Sequence, residues 1–221
     1  EVTVNASPGT ISGLNPMCIG NSGTFSIGST GGSWVSSSSY VTIGSATGVA
    51  TAVTAGTATI SYRVSTTCYS TLPVTVTATP AAITGTARVC IGYTTVLGHP
   101  VSGGTWSGGS SAVSVTDSAG FGVVSGSAAG TGTITYTLPS GCYKTVVVTV
   151  NSNPAAPSGG TSPICVGTTT NLTATPAGGT WLSSTTAVGT VGNTTGVVMG
   201  VSAGTTTISY RLTSTGCFST K

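Results

Sequence analysis

Apolar and hydroxyl residues alternate along much of this chain. In TATISYRV (57–64), Ile60, Tyr62 and Val64 fall on one side of an extended backbone, and Thr59, Ser61 and Arg63 on the other. The pattern returns with Ile134, Tyr136 and Leu138, and again with Ile208, Tyr210 and Leu212. A period of two predicts half-buried strands, one face inward and one offering hydroxyls to water. The runs are short and bounded by turns rich in Gly and Ser, as in a β-sandwich. The expectation is an all-β protein with essentially no helix.

The pattern also repeats on a longer scale. Cys18, Cys90 and Cys165 are spaced by 72 and 75 residues, and Trp34, Trp106 and Trp181 by the same 72 and 75. MCIG (17–20) recurs as VCIG (89–92) and ICVG (164–167), and GGSW (31–34) as GGTW at 103–106 and 178–181. The longest echo is ATGVATAVTAGTATISY (46–62), AGFGVVSGSAAGTGTITY (119–136) and TTGVVMGVSAGTTTISY (194–210). Such self-similarity predicts tandem domains. We divide the chain into residues 6–78, 79–151 and 152–221, with residues 1–5 standing apart. The joints Thr79-Pro80-Ala81 and Asn153-Pro154-Ala155 are only a few residues long, so a stiff rod is expected.

The Val-x-Ala-Gly-Thr-x-Thr-Ile-x-Tyr stretch resembles the bacterial immunoglobulin-like domain, group 2. The GGTW block and its flanking cysteines resemble the variant found in long surface-protein arrays of Bacteroidota. The resemblance covers all three units and implies three tandem immunoglobulin-like β-sandwich domains. Members of that family serve as spacers, adhesin stalks and filament parts, which implies an extracellular or cell-surface location.

Each unit has two cysteines: Cys18 and Cys68, Cys90 and Cys142, Cys165 and Cys217. Six cysteines allow fifteen pairings. A unit that recurs intact favours pairing within itself, and the family context favours disulfides over buried free thiols. The expected bonds are therefore Cys18–Cys68, Cys90–Cys142 and Cys165–Cys217. Zinc fits poorly, because no CxxC occurs and His99 is the one histidine. Trp34, Trp106 and Trp181, with Tyr62, Tyr136 and Tyr210, are expected in the cores, each Trp near its disulfide.

Composition narrows the function. Five Lys and Arg residues oppose two acidic ones, and mean hydropathy is +0.40. Such hydropathy argues against disorder despite the abundance of Gly, Ser and Thr. No apolar stretch approaches the ~20 residues of a spanning helix, and a thinly spread net charge of +3 makes no nucleic-acid footprint. One Asp, one Glu and one His in different contexts cannot assemble an acid–base or metal site, so neither catalysis nor a cofactor is expected. Asp117-Ser118-Ala119 fits the O-glycosylation pattern implied by the Bacteroidota resemblance, making Ser118 a candidate.

The chain begins EVTVNASP, a run that in the other units follows the second cysteine. Val74 lies six residues after Cys68, and Val148 six after Cys142. If another copy follows Lys221 directly, its Val2 falls six residues after Cys217. Val2, Thr3 and Val4 are therefore expected to be the last strand of another copy's third domain. Two arrangements satisfy this: a continuous repetitive polypeptide, or separate subunits exchanging strands. With no initiator Met and no targeting segment in view, the chain is expected to be a mature or excised segment; its main partners are expected to be other copies of itself, head to tail. Such non-closing contacts build filaments. The alternative is a stalk or binding module of a surface adhesin, with an unidentified tip ligand or anchor as partner.

Overall fold

The computed structural model describes residue 4 and residues 6–221. Strands account for its regular structure, with no helix among the described residues. The first repeat carries β1 (Met17–Cys18), β2 (Ser22–Thr24), β3 (Ser33–Ser36), β4 (Val41–Ile43), β5 (Val49–Ala52), β6 (Gly56–Arg63) and β7 (Tyr69–Thr77). They form two sheets, ordered β1-β7-β6-β3 and β2-β5-β4. Val41, Ala50 and Ala52 of the smaller sheet meet Met17, Trp34, Ile60, Val74 and Val76 of the larger. This is the expected all-β sandwich, two sheets packed face to face.

The alternation in β6 places Ala58, Ile60 and Tyr62 in that core, as period two requires. Ser61 departs from it and is also buried. Val64, expected inward, is exposed, because β6 ends at Arg63 and Val64 already belongs to the turn into β7. Its amide donates to the Cys68 carbonyl there, at 3.1 Å.

The second repeat carries β8 (Thr84–Gly85), β9 (Arg88–Cys90), β10 (Thr94–Gly98), β11 (Thr105–Gly109), β12 (Val113–Ser118), β13 (Phe121–Gly126), β14 (Gly130–Thr137) and β15 (Tyr143–Asn151). Strand β13 pairs antiparallel with β10 and β12, and β15 runs parallel to β9. Ser118 is exposed at the end of β12, next to the Ala119-Gly120 turn.

The third repeat carries β16 (Thr169–Asn171), β17 (Gly179–Ser183), β18 (Gly189–Val191), β19 (Val197–Gly200), β20 (Ile208–Leu212) and β21 (Phe218–Thr220). Two three-stranded sheets result, β16-β19-β18 and β17-β20-β21. The buried cluster is Leu172, Trp181, Val198, Ile208, Tyr210 and Leu212, half the membership of the first repeat's cluster.

By contacts the chain forms two compact units. The first runs to Thr84 and adds Gly98–Ser107 and Thr135–Thr145; the second comprises Gly85–Leu97, Gly108–Ile134 and Val146–Lys221. Their boundaries cut through the second repeat, so the sequence repeat and the compact unit do not coincide.

One core motif recurs. Trp34 lies opposite Tyr62 with ring centroids 4.9 Å apart, Trp181 opposite Tyr210 at 4.7 Å, and Trp106 stands 4.8 Å from Tyr136. All six rings are buried. Each tyrosine hydroxyl accepts an amide hydrogen from the second glycine of the Gly-Gly-x-Trp block: Gly32 at 2.8 Å, Gly104 at 2.9 Å and Gly179 at 2.7 Å. The two glycines differ in purpose. Gly103 holds φ +86°, a left-handed conformation that suits glycine, in otherwise open space. A Cβ on Gly104 would stand 2.6 Å from both the Thr137 carbonyl oxygen and the Tyr136 ring.

Candidate functional site: an open sheet edge and two free thiols

In the first repeat, β7 completes the larger sheet. Val74 lies opposite Ala58 and Val76 opposite Gly56 on β6, while β1 runs parallel on the other side with Met17 beside Val76. Both valines are buried. In the second repeat Val148 and Val150 are equally buried, and Val150 pairs with Val89 of the parallel β9. A Val-Thr-Val strand thus sits between two neighbours each time.

The third repeat lacks that strand within its described residues. Strand β21 pairs with β20 from Phe218 to Thr220, and Lys221 and Ile208 exchange both backbone hydrogen bonds at 2.8 Å. Strand β20 begins at Ile208, whereas β6 and β14 begin four residues earlier in the same motif, at Gly56 and Gly130. The matching segment, Gly204–Thr207, is not in a strand, and neither is Ile164-Cys165, the counterpart of β1 and β9. Between these segments lies a groove of about 560 Å³, lined by Ile164, Cys165, Val198, Gly204, Thr206 and Ile208 among others.

One side of the groove is already shaped for a strand. The Cys165 carbonyl accepts from the Thr168 amide, and the Gly167 amide donates to Gly200. The same turn follows Cys18, with Asn21 donating to Cys18 and Gly20 to Ala52, and follows Cys90, with Tyr93 donating to Cys90 and Gly92 to Gly126. On the other side, Thr207 exchanges bonds with Ser184, just as Thr59 does with Ser37. Thr207 is therefore held on that side as Thr59 of β6 is.

Of the expected assembly strand, Val2 and Thr3 lie outside the described residues. Val4 is 89% exposed, against 2% for its sequence counterparts Val76 and Val150.

The cysteine pairing differs from the expectation. Cys18 is bonded to Cys142 and Cys90 to Cys217, while Cys68 and Cys165 are free. The expected Cys18–Cys68, Cys90–Cys142 and Cys165–Cys217 bonds are not formed. Strand geometry explains why. Cys18 pairs with Thr77 at the end of β7, whereas Cys68 precedes Tyr69 at its start. Nine residues of strand separate those ends by roughly 27 Å, and a disulfide tolerates about 7 Å between Cα atoms. Cys90 and Cys142 stand in the same relation at the two ends of β15. Cys18 and Cys90 instead each meet the second cysteine of the following repeat, which folds back to where the last strand exits. Thr77 Oγ1 lies 2.8 Å from the Cys142 sulfur, and the Asn151 carbonyl oxygen 3.9 Å from that of Cys217.

Among the described residues, no group of three or more His, Cys, Asp or Glu side chains could hold a metal ion. His99 stacks on Tyr136 with centroids 4.4 Å apart, its ring nitrogens 3.0 Å from the Val101 and Ala81 carbonyl oxygens. That is a structural position.

No protein-family model and no curated protein matches this chain. Several solved structures align with this chain at low identity. Domains 4 and 5 of the S-layer protein SbsC align over 66% of this chain and 99% of their own, at 19% identity and a TM-score of 0.33. The bacterial integrin-binding protein invasin aligns over 96% of this chain at 16% identity and a TM-score of 0.38. A C-terminal intimin fragment, in complex with the intimin-binding domain of its translocated receptor, aligns over 58% at 18% identity and 0.34. The chain spans 57% of the invasin structure and 55% of the intimin one.

Proposed function

We propose that this chain is a structural unit of an extracellular filament or cell-surface fibre, built head to tail. Residues 1–5 of one copy fill the third-repeat groove of the preceding copy. The observation that carries this reading is the groove itself, with its walls in the places that β1 and β6 occupy around Val74 and Val76. Continuing the β20–β21 register beyond Ile208–Lys221 puts Val2 opposite Thr206 and Val4 opposite Gly204, as Val74 faces Ala58 and Val76 faces Gly56. Burying each valine contributes about 1.5–3 kcal/mol, and the pairing closes an edge that is otherwise an aggregation hazard. The disulfides support a location outside the reducing cytoplasm. The recurrent GGTW and AGTxTISY blocks support membership of the group 2 bacterial immunoglobulin-like domains. The role is mechanical, with neither cofactor nor catalytic step.

The double variant Val2→Asp with Val4→Asp tests the proposal. Two unpaired carboxylates in the groove would be poorly tolerated, so fibres should fail to form while the first repeat's melting transition is kept. Fibres of normal length from this variant would overturn the reading.

A further inference from the structure

We infer that Cys165 of one copy forms a disulfide with Cys68 of the copy that follows it, so that the filament is covalently laddered. This rests on the head-to-tail reading above. The two free thiols are the unused ends of a regular series. Each bonded pair joins the first cysteine of a repeat to the second cysteine of the next, at sequence separations of 124 and 127. Continuing the series, Cys165 requires a second cysteine from a following repeat, and Cys68 a first cysteine from a preceding one. From Cys165 to Lys221 is 56 residues, and Cys68 of an abutting copy is 68 further on, a separation of 124.

Both thiols are already presented as their bonded counterparts are. The turn after Cys165 repeats the hydrogen bonds of those after Cys18 and Cys90. Cys68 sits in a hairpin turn whose carbonyl accepts from Val64, as Cys142 accepts from Leu138 and Cys217 from Leu212. Its sulfur lies 3.2 Å from the Ala6 carbonyl oxygen, immediately after the Val-Thr-Val-Asn run. Cys142 and Cys217 contact the corresponding strand exits, at Thr77 and Asn151. In the parallel register Cys18 lies beside Thr77 and Cys90 beside Asn151, so Cys165 would lie beside Asn5 of the inserted strand. The donor strand thus carries Cys68 of its own copy to Cys165 of the acceptor. Cys165 is exposed and Cys68 half-buried, so both can be reached before the strand docks.

The bond forms by thiol–disulfide exchange with an external disulfide oxidant, RSSR. The Cys165 thiolate attacks one sulfur of RSSR, giving a mixed disulfide and releasing RS⁻. The Cys68 thiolate then attacks the Cys165 sulfur and displaces the second RS⁻. Two protein thiols become one disulfide, and their two electrons and two protons leave as two RSH.

The test uses the 221-residue chain, unlabelled and ¹⁵N-labelled, mixed and assembled with oxidised glutathione. Fibres are then digested with trypsin without reduction, and the linked peptides weighed. The expected product joins peptide 64–88 to peptide 145–211 in mixed-isotope form. Denaturing gels without reductant should show a ladder of 21.2 kDa steps, lost in Cys165→Ser, in Cys68→Ser and in the doubly charged Val2/Val4 variant. Fibres that form with both thiols free would overturn the bond and leave strand insertion standing. A Cys68–Cys165 bond found only within one chain, or undiminished in the doubly charged variant, would also overturn it. Failure of the wild-type chain to form fibres would remove the head-to-tail reading, and this bond with it.

Discussion

Cys18 is joined to Cys142 and not to Cys68, so each bond in this chain runs from one repeat into the next. In the chain-entropy description, closing loops of 124 and 127 residues contributes roughly 2–5 kcal/mol each. Cys18→Ser with Cys142→Ser should lower the melting temperature of the unit that holds them, and non-reducing peptide mapping of the wild type should recover Cys18–Cys142 and Cys90–Cys217. Cys68→Ser should leave the unassembled chain unchanged. An equal loss from Cys68→Ser would mean that the pairing described here is wrong.

The Trp–Tyr pairs are core elements. Trp34→Ala should cost about 3–5 kcal/mol, the range for a deleted large buried aromatic, and Trp106→Ala the same. Urea unfolding followed by circular dichroism reads this directly. An unshifted midpoint would put the ring on the surface and reopen a ligand-stacking role.

The Gly104–Tyr136 contact makes a finer prediction. Tyr136→Phe removes the hydroxyl that accepts from Gly104 and donates to Val101 at 2.7 Å, and should cost about 1–3 kcal/mol by leaving buried polar groups unpaired. Gly104→Ala should cost about 1–3 kcal/mol or more, since its Cβ meets backbone as well as ring. Thermal melts of both variants check this, and a neutral Gly104→Ala would show that the block is not space-limited.

Much of this was legible in the chain. Period-two alternation marks β6, β14 and β20, and the repeated Gly-Gly-x-Trp block marks one core pair per repeat. Spacing alone could not reveal the disulfide partners, because it does not show that Cys18 lies on a strand parallel to β7. With that strand placed, Cys68 falls at the far end of β7, and pairing within the repeat is excluded by distance. The signal was available in VTV followed by a Pro-containing joint: the strand's exit, not its start, leads into the next repeat. The expectation that Val2, Thr3 and Val4 complete another copy's third domain comes from the spacing of Val74 after Cys68 and of Val148 after Cys142. Only the structure shows that Gly204–Thr207 and Ile164-Cys165 stand outside any strand.

A synthetic peptide of residues 1–7 should bind a chain lacking residues 1–5. Bound at a hundredfold excess over its Kd, it would stabilise the third repeat by about 2.7 kcal/mol through mass action. Melting curves against peptide concentration measure this, with a peptide carrying Asp at both valine positions as control. Equal stabilisation by the two peptides would mean that the valines are not read by the groove.

The central claim is tested most directly by an electron cryomicroscopy reconstruction of the assembled fibre at side-chain detail. The account predicts an extended segment between Ile164-Cys165 and Gly204–Thr207, belonging to the next copy, with Val2 facing Thr206 and Val4 facing Gly204. A groove that stays empty, or one filled by any other segment, would contradict it.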